Sequence, residues 1–330
     1  MTVPVRRDLL ALWGSAAFRA SAAEWVRTVL SERGVRLHGG LVPHRLRFWS
    51  ALFTVDTDAG RCWFKACNPG QAFEAGLADR LGRLVPEHVL APLAVDEGRG
   101  WLLLPDGGPT VRDSGGEQWE LLLRQAARMQ QALAAHGAAL AVAGLPALSP
   151  ETALAEAIRL VESLARLPAG DPQHVDAARA TALRARLERL REPLAALEAP
   201  GVPPTLQPND LSLANAVAAP DGTGYRIFDL GDAFWSHPFA VLQVPLRMAT
   251  GAWPGPPARG DLLADRLARA YLGEWPQLAP DDVGLLVDAA DRLASLQRCE
   301  SWRRLLAHVD PGRLGVSTPR LVDWIADAAR

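Results

Sequence analysis

Residues 209–234 read NDLSLANAVAAPDGTGYRIFDLGDAF and interrupt a chain that is otherwise predicted to be helical from Glu117 onward. Two short runs, 215–218 and 225–228, flank the turn sequence Pro-Asp-Gly-Thr-Gly at 220–224. This pattern predicts a β-hairpin. A hairpin that is flanked by aspartates inside a helical region is a typical location for polar chemistry.

The side chains that flank the hairpin are suited to binding a metal ion. Asp210 and Asn215 lie five residues apart across a tight loop, and Asp229 follows the second strand directly. Carboxylate and carboxamide oxygens from two neighbouring loops suit Mg²⁺, which usually takes one or two protein carboxylates together with phosphate oxygens and water. A further carboxylate that does not bind the metal could orient an attacking hydroxyl. The segment therefore predicts a magnesium site beside a catalytic carboxylate.

Lys65 is the single lysine among the 35 lysine and arginine residues of the chain. It lies in the predicted strand Arg61–Cys67 and shares a face with Trp63, so both side chains could point into a cleft. A retained lysine marks either an accident or a position where a compact ammonium fits and the planar guanidinium fork does not. The alternative is a solvated lysine at the edge of a sheet.

Composition limits the classes of function. The chain has 330 residues with a net charge of −2, which indicates about two domains, or one domain with two lobes. Because there is no basic excess, we expect no nucleic-acid partner. We also expect no membrane span, since no apolar run approaches the ~20 residues that one needs. Nothing in the sequence indicates the oligomeric state.

The sequence favours a cytoplasmic location. The three cysteines, Cys62, Cys67 and Cys299, lack the spacing of a zinc site or a disulfide framework and indicate reduced thiols. The N-terminal segment has the paired arginine and apolar stretch of a signal peptide. However, Asp8 and Arg19 interrupt that pattern, and helical spacing of the apolar residues favours an amphipathic helix.

Three regions follow from the pattern along the chain: a helical extension at 1–34, a strand-rich region at 35–105 and a helical region at 106–330. The expected strands of the second region are 35–43, 48–56, 61–67, one at Val95 and one at 101–104, with a helix at 71–84. The expected helices of the third region are 117–136, 151–167, 175–197, 239–249, 261–275, 281–308 and 318–329. The fold class is therefore predicted to be α+β and bilobal, with a small β-rich lobe that contains one packed helix and a large helical lobe that contains the hairpin.

The order of these motifs resembles a known family. The sequence Asp-x-x-x-x-Asn, a β-hairpin and then Ile-Phe-Asp-Leu-Gly is similar to the catalytic and metal-binding loops of kinase-fold phosphotransferases. The closer likeness is to the aminoglycoside phosphotransferase-like family of small-molecule kinases, whose loops look like HGDLHPGN and IDFGDA. FDLGDA at 228–233 parallels the second loop, and GDAFWSHPF and ESWRRLL resemble a bacterial branch of the family. The resemblance spans about 35–310 and implies a bilobal protein-kinase-like fold.

The resemblance also implies a role for each polar residue. Lys65 would hold the α- and β-phosphates of a nucleotide and pair with Glu74 on the following helix. Asp210 would accept or orient the proton of the acceptor hydroxyl, and Asn215 and Asp229 would bind Mg²⁺ that bridges the phosphates. Taken alone, Glu74 could equally be a solvated acid that the helix dipole favours at a helix start.

The donor-binding residues of the family are only partly matched. The segment 102–106, which includes Leu104 and Asp106, would be the hinge that faces the purine. The expected phosphate-covering loop, PHRLRFWS at 43–50, contains no glycine, so Arg47 or Ser50 is expected to contact phosphate. Pro208 stands where the family has a histidine, Asn209 follows it, and Ser212 replaces a residue that is often histidine, lysine or glycine.

The acceptor site is expected on the helical region. Candidate residues there are Asp232, Glu274, Glu300 and Trp302, and an acidic lining would suit an acceptor with an amine. Each of these residues could instead cap or pack a helix, and His237, which precedes a proline, is expected to be structural.

We therefore predict an ATP- or GTP-dependent phosphotransferase that uses Mg²⁺ and acts on a hydroxyl of a small polar metabolite, such as an amino sugar, a sugar or an aminoglycoside-like molecule. The departures from the family pattern leave one alternative from another class, a pseudokinase-like module that binds a nucleotide or metabolite without transferring phosphate. Nucleotidyl transfer is a third possibility. Asp210 favours the enzyme, because a module that only binds does not need a catalytic carboxylate.

Overall fold

The computed structural model describes residues 6–113, 115–198, 201–276, 278, 283–313 and 320–330. A five-stranded sheet is built from β1 (Val42–Arg47), β2 (Ser50–Thr57), β3 (Gly60–Cys67), β4 (Ala94–Asp96) and β5 (Trp101–Pro105). The spatial order is β1-β2-β3-β5-β4, and every neighbouring pair is antiparallel. Helices α1 (Leu9–Gly14) and α2 (Ala16–Ser31) precede the sheet, and α3 (Glu74–Leu84) follows β3. We call these elements the sheet region.

The first strand differs from its prediction. β1 begins at Val42, whereas the sequence predicted a strand over 35–43. Gly39 adopts a left-handed conformation with φ of 72°, which interrupts any extended strand through that segment. The predicted phosphate-covering loop at 43–50 is therefore mostly strand. Arg47 pairs with Ser50, so only two residues, Phe48 and Trp49, connect β1 to β2.

The N-terminal helices share a hydrophobic core with the sheet. Trp13 of α1 and Val26 of α2 belong to the same buried cluster as Phe53 and Phe64 of the sheet, and each is at most 3% exposed. Both helices carry side-chain caps, because Asp8 accepts a hydrogen bond from the N–H of Ala11 and Ser15 accepts one from the N–H of Phe18. Helices α1 and α2 of the predicted extension thus pack as part of the sheet region.

The remainder of the chain forms a helical region around the largest core. Its helices are α4 (Glu117–Leu133), α5 (Gly137–Val142), α6 (Pro150–Ala165), α7 (Ala177–Glu188), α8 (Arg191–Ala195), α9 (Gln243–Ala249), α10 (Leu262–Leu272), α11 (Val283–Leu306) and α12 (Leu321–Ala328). Its strands are β6 (Thr205–Gln207), β7 (Ala216–Ala218), β8 (Tyr225–Ile227) and β9 (Phe234–Ser236), paired as β6–β9 and β7–β8. The β7–β8 pair is the predicted hairpin.

Two helix predictions need comment. The helix predicted over 175–197 is divided into α7 and α8. Pro193 explains the division, because a proline ring clashes with the carbonyl of the residue four positions earlier, here Arg189. The predicted helix starts at Asp281 and Thr318 lie outside the described residues. No helix within the described ranges is long and apolar enough to cross a membrane.

A buried ion-pair network fixes the long helix α11 against its neighbours. Arg247 of α9 is fully buried and donates to both carboxylate oxygens of Asp291 on α11, at 2.9 and 2.6 Å. It also donates to Asp327 of α12 at 2.8 Å. Because an unpaired buried charge costs about 3–5 kcal/mol, this network strongly disfavours any shift of α11 relative to α9 and α12.

Candidate active site

Lys65 lies at the centre of a buried ion cluster. Its Nζ is 2.7 Å from each carboxylate oxygen of Glu74, the first residue of α3, and 2.6 Å from Oδ1 of Asp229, which follows β8. Lys65 is 8% exposed and Glu74 is 2% exposed. The predicted Lys65–Glu74 pair is therefore present. The edge-lysine alternative is wrong, because β3 lies between β2 and β5.

The three charged groups of this cluster, Lys65, Glu74 and Asp229, shift one another's pKa values. Burial lowers the pKa of Lys65, but the carboxylates of Asp229 and Glu74 outweigh burial and hold that pKa well above its ordinary value. Burial raises the pKa of Glu74, whereas the ammonium of Lys65 holds the pKa of Asp229 below its ordinary value in spite of burial. The ammonium is therefore charged at neutral pH and binds both acids.

Further hydrogen bonds hold Glu74 in place. Its Oε1 accepts from the N–H of Leu230 at 3.0 Å, and its Oε2 accepts from the thiol of Cys67 at 3.3 Å. A Cβ at Gly231 would lie only 3.0 Å from Oε2 of Glu74, so the absence of a side chain at Gly231 allows the close approach. The cluster thus fastens the sheet region to the loop that follows the hairpin.

Two residues of the loops on either side of the β7–β8 hairpin have unusual backbone conformations. Asn209 and Asp229 have φ of 60° and 64°, and within the described part of the chain they are the only non-glycine residues with positive φ. Asparagine and aspartate tolerate this region better than other non-glycine residues, but such conformations persist only where the surroundings impose them. The left-handed turn at Asp229 follows β8 directly, and there its carboxylate meets Lys65.

Asp210 and Asn215 form a second group beside the first. The amide of Asn215 donates to the backbone carbonyl of Asp210 at 3.0 Å and to its Oδ2 at 3.3 Å. Arg298 of α11 donates through Nη2 to the other carboxylate oxygen of Asp210 at 3.0 Å and to the carbonyl of Asn209 at 2.5 Å. The predictions from sequence did not include Arg298, since it lies 88 residues from Asp210 and belongs to no recognisable motif.

A cleft of about 280 Å³ lies between the sheet region and the hairpin. Both Asn215 and Asp229 line it, together with Lys65. Asp210 borders this group through its hydrogen bonds with Asn215. The structure therefore brings together Asp210, Asn215 and Asp229, which the sequence predicted for catalysis and metal binding, with Lys65, which it predicted for phosphate binding.

Of the other predicted donor-binding residues, three line the cleft and one does not. Ser50, Leu104 and Asp106 line the cleft. Arg47 does not line it, and its exposed side chain donates to the carbonyl of Leu46 at 3.1 Å.

Arg45 lines the cleft where Arg47 was predicted to act. Arg45 lies opposite Leu52, and Leu52 lies opposite Lys65, so these three residues are aligned across the sheet. His44 also lines the cleft, with its ring 5.0 Å from that of Trp63. The sequence reasoning missed both residues because it placed 43–50 in a loop. Strand alternation places Arg45 and Arg47 on the same face of β1, so it could not have distinguished them.

Of the predicted acceptor residues, Asp232 joins the site. It accepts hydrogen bonds from the amide of Gln71 at 2.8 Å and from the hydroxyl of Ser301 on α11. Burial, and then the charge of Asp210, raise the pKa of Asp232. Asp232 therefore links the segment before α3 to α11, close to Asp210.

The other three predicted acceptor residues have structural partners. Glu274 is paired with Arg124 and Arg128 of α4, at 3.2 and 3.0 Å. Glu300 pairs with Arg303 one turn further along α11 at 2.6 Å.

Trp302 packs against the β1–β2 turn, where its ring lies 5.8 Å from that of Phe48 and 6.1 Å from that of Trp49. Glu274, Glu300 and Trp302 therefore each have a partner that accounts for their position, and their role at an acceptor stays a prediction. A local pattern of acids and aromatics gives no information about which distant arginine or ring it will meet.

The chain has the kinase-like fold that macrolide and aminoglycoside phosphotransferases share with choline and ethanolamine kinases. This confirms, for the fold, the resemblance that the sequence predicted. A macrolide 2′-phosphotransferase of type I matches with a TM-score of 0.58 and 14% identity, over 96% of each chain. An ethanolamine kinase from Plasmodium vivax matches with a TM-score of 0.58 and 11% identity, over 87% of this chain and 80% of that one.

A third similar structure is an amicoumacin kinase in complex with AMP-PNP, Ca²⁺ and Ami. It matches with a TM-score of 0.57 and 13% identity, over 92% of each chain. At these identities the likeness establishes the fold. No protein-family model and no curated protein matches the sequence.

Proposed function

We propose that this protein is a phosphotransferase that moves the γ-phosphoryl group of ATP or GTP to a hydroxyl of a small polar metabolite. The observation that carries the proposal is the convergence of Lys65, Asn215 and Asp229 on one cleft, with Asp210 beside them. We further propose that the sheet region and the helical region act as the two lobes of a kinase, with the donor nucleotide between them.

The proposed donor site uses the sheet for phosphates and β5 for the base. Lys65 is held by Glu74 and would contact the phosphates as a point charge. Arg45 adds a second cation on the same face, and it is near enough to Asp229 to lower the pKa of that carboxyl further, after the larger effect of Lys65. Beyond β5 the base would meet backbone groups of 104–108, although Pro105 has no N–H to donate.

The residues present also fit a magnesium ion. The amide nitrogen of Asn215 is engaged with Asp210, which turns its carboxamide oxygen away from Asp210, and Asp229 contributes a carboxylate to the same cleft. No group of three or more His, Cys, Asp and Glu side chains suited to a metal occurs among the described residues. The site therefore suits an ion that takes most of its ligands from phosphate and water, as Mg²⁺ does. When bound, Mg²⁺ would neutralise phosphate charge.

Asp210 would orient the acceptor hydroxyl. Its side chain is 35% exposed, so an acceptor can reach it, while Asn215 and Arg298 hold the two carboxylate oxygens. Phosphoryl transfer depends mainly on positioning and charge neutralisation, so a fixed carboxylate serves this role without being a strong base. We propose amino sugars, sugars and aminoglycoside-like molecules as the first acceptors to test.

The test has two steps. Calorimetric titration with Mg-ATP and Mg-GTP should show binding of at least one nucleotide to the wild type and a clear loss in Lys65→Ala. A panel of hydroxyl-bearing metabolites is then assayed for phosphorylation, with Asp210→Asn as the inactive control. Absence of binding by both nucleotides would overturn the proposal.

A second candidate is a binding module that does not transfer phosphate. It is favoured by Pro208 and by the ion pair that already occupies one oxygen of Asp210. This candidate predicts nucleotide binding without product across the panel, and identical nucleotide affinities for the wild type and Asp210→Asn.

A further inference from the structure

Arg298 is a buried cation beside the site. Its side chain is 8% exposed, and it makes an ion pair with Asp210 at 3.0 Å. The same Nη2 donates to the carbonyl of Asn209. One guanidinium nitrogen therefore holds both the left-handed residue of the loop and the carboxylate that follows it.

Aromatic rings fix the guanidinium from the other side. Its central carbon lies 5.5 Å from the ring centre of Trp253 and 5.7 Å from that of Trp324 on α12. Both distances lie within the range of a cation–π interaction. The guanidinium is thus restrained by α12 and by the loop that follows α9, while α11 itself is fixed by the buried Arg247 network.

Neighbouring residues of α11 hold the rest of the catalytic loop. Gln297 accepts from the amide of Gln207 at 2.8 Å, and the hydroxyl of Ser301 donates to Asp232. Residues 298 and 301 are three positions apart and residues 297 and 301 are four positions apart, so all three lie on one face of the helix. That face contacts the end of β6, Asp210 and the loop after Asp229.

We propose that Arg298 is a positioning residue for Asp210. It anchors the loop that carries Asp210, which Pro208 cannot do because its side chain has no hydrogen-bond donor. Arg298 and Asn215 bind opposite oxygens of the carboxylate and so fix its plane. The positive charge also compensates the repulsion between Asp210 and Asp232, which lie close enough to affect each other electrostatically. This inference rests on the proposed function, since it assigns a role within the same site.

The first experiment is independent of phosphate transfer. Thermal unfolding midpoints are measured without nucleotide for Asp210→Asn, Arg298→Met and the double variant. If Arg298 holds Asp210, the unfolding midpoint of the double variant falls by less than the sum of the two single decreases. The reason is that the first substitution has already broken the ion pair, so the second cannot break it again. Additive losses would overturn the pairing, whether or not the protein proves to be a kinase.

The second experiment separates positioning from a purely structural role. Release of inorganic phosphate from Mg-ATP or Mg-GTP, with water as the acceptor, should fall about 100-fold in kcat for Arg298→Met, while the nucleotide KM changes less than about twofold. Arg298→Lys should keep an intermediate rate, because it retains the charge but not the planar fork. Guanidinium ion should restore part of the rate of Arg298→Ala and none of that of Asp210→Asn.

Arg292→Met is the matched control. Arg292 is on the same helix, its side chain is 17% exposed, and its polar partners among the described residues are Asp288, at 2.8 Å, and the carbonyls of Ala328 and Arg330. It should lower the unfolding midpoint and leave kcat unchanged. Equal kcat values for Arg292→Met and Arg298→Met would overturn the positioning role. Should the wild type release no phosphate to water, the acceptor panel decides the proposed function, and the unfolding cycle alone decides whether Arg298 holds Asp210.

Discussion

Replacing Lys65 with methionine removes the ammonium that two carboxylates share, with little change in side-chain volume. Glu74 then stays 2% exposed, and only the N–H of Leu230 and the thiol of Cys67 remain to bind its carboxylate. Removal of one member of a buried ion pair costs about 3–5 kcal/mol, because the remaining charge is left without compensation. We therefore expect Lys65→Met to lower the free energy of unfolding by about that amount.

A second substitution tests the cause of this loss. Glu74→Gln in the Lys65→Met background removes the unpaired charge but keeps an oxygen that can accept from Leu230. The double variant should recover about 2 kcal/mol of the free energy of unfolding, which is within the usual range of coupling between contacting residues. Urea unfolding followed by tryptophan fluorescence gives both values.

The control is Arg36→Met, which removes an ion pair to Asp58 from a side chain that is 84% exposed. A surface pair of this kind contributes at most about 1 kcal/mol. The reasoning would be refuted if Lys65→Met cost no more than Arg36→Met, or if Glu74→Gln failed to recover stability in the double variant. In the same samples, nucleotide affinity should fall roughly 10- to 100-fold in Lys65→Met and be unchanged in Arg36→Met.

Three further predictions follow from other parts of the structure. Burial lowers the pKa of His237 to about 4 from its ordinary 6.5, so between these pH values the unfolded chain binds a proton that the folded chain does not. The free energy of unfolding should therefore fall by about 3 kcal/mol as the pH is lowered from 6.5 to 4. His237→Gln should lack that part of the acid dependence in urea unfolding. Trp302→Ala should lower the free energy of unfolding by about 1–3 kcal/mol and speed amide exchange in the β1–β2 turn, because two aromatic contacts to that turn are lost; unchanged exchange would contradict this anchoring. Arg45→Ala should weaken nucleotide binding about tenfold in a titration, whereas Arg47→Ala, which alters a residue outside the cleft, should change it less than twofold.

Local signals explain what the sequence could predict. The hairpin followed from a five-residue turn between two short runs, and the structure contains it at β7–β8. The pair of Lys65 with Glu74 was expected from the family resemblance, because the local pattern alone also allowed a solvated acid at a helix start, and the structure contains the pair. The start of β1 was not predictable in this way, since a glycine with positive φ ended the extended run before it.

By itself, the sequence determined the order of most elements and the hairpin, because each depends on spacing within a single segment, and the family resemblance added the residues of the candidate site. Only the tertiary structure decided which charges meet across the fold. Glu274 is neutralised by Arg124, which lies 150 residues away, and Asp210 is bound by Arg298, which lies 88 residues away. An ion pair of this kind depends on how helices pack against one another, and packing is set by the whole core and not by the residues on either side of the charge.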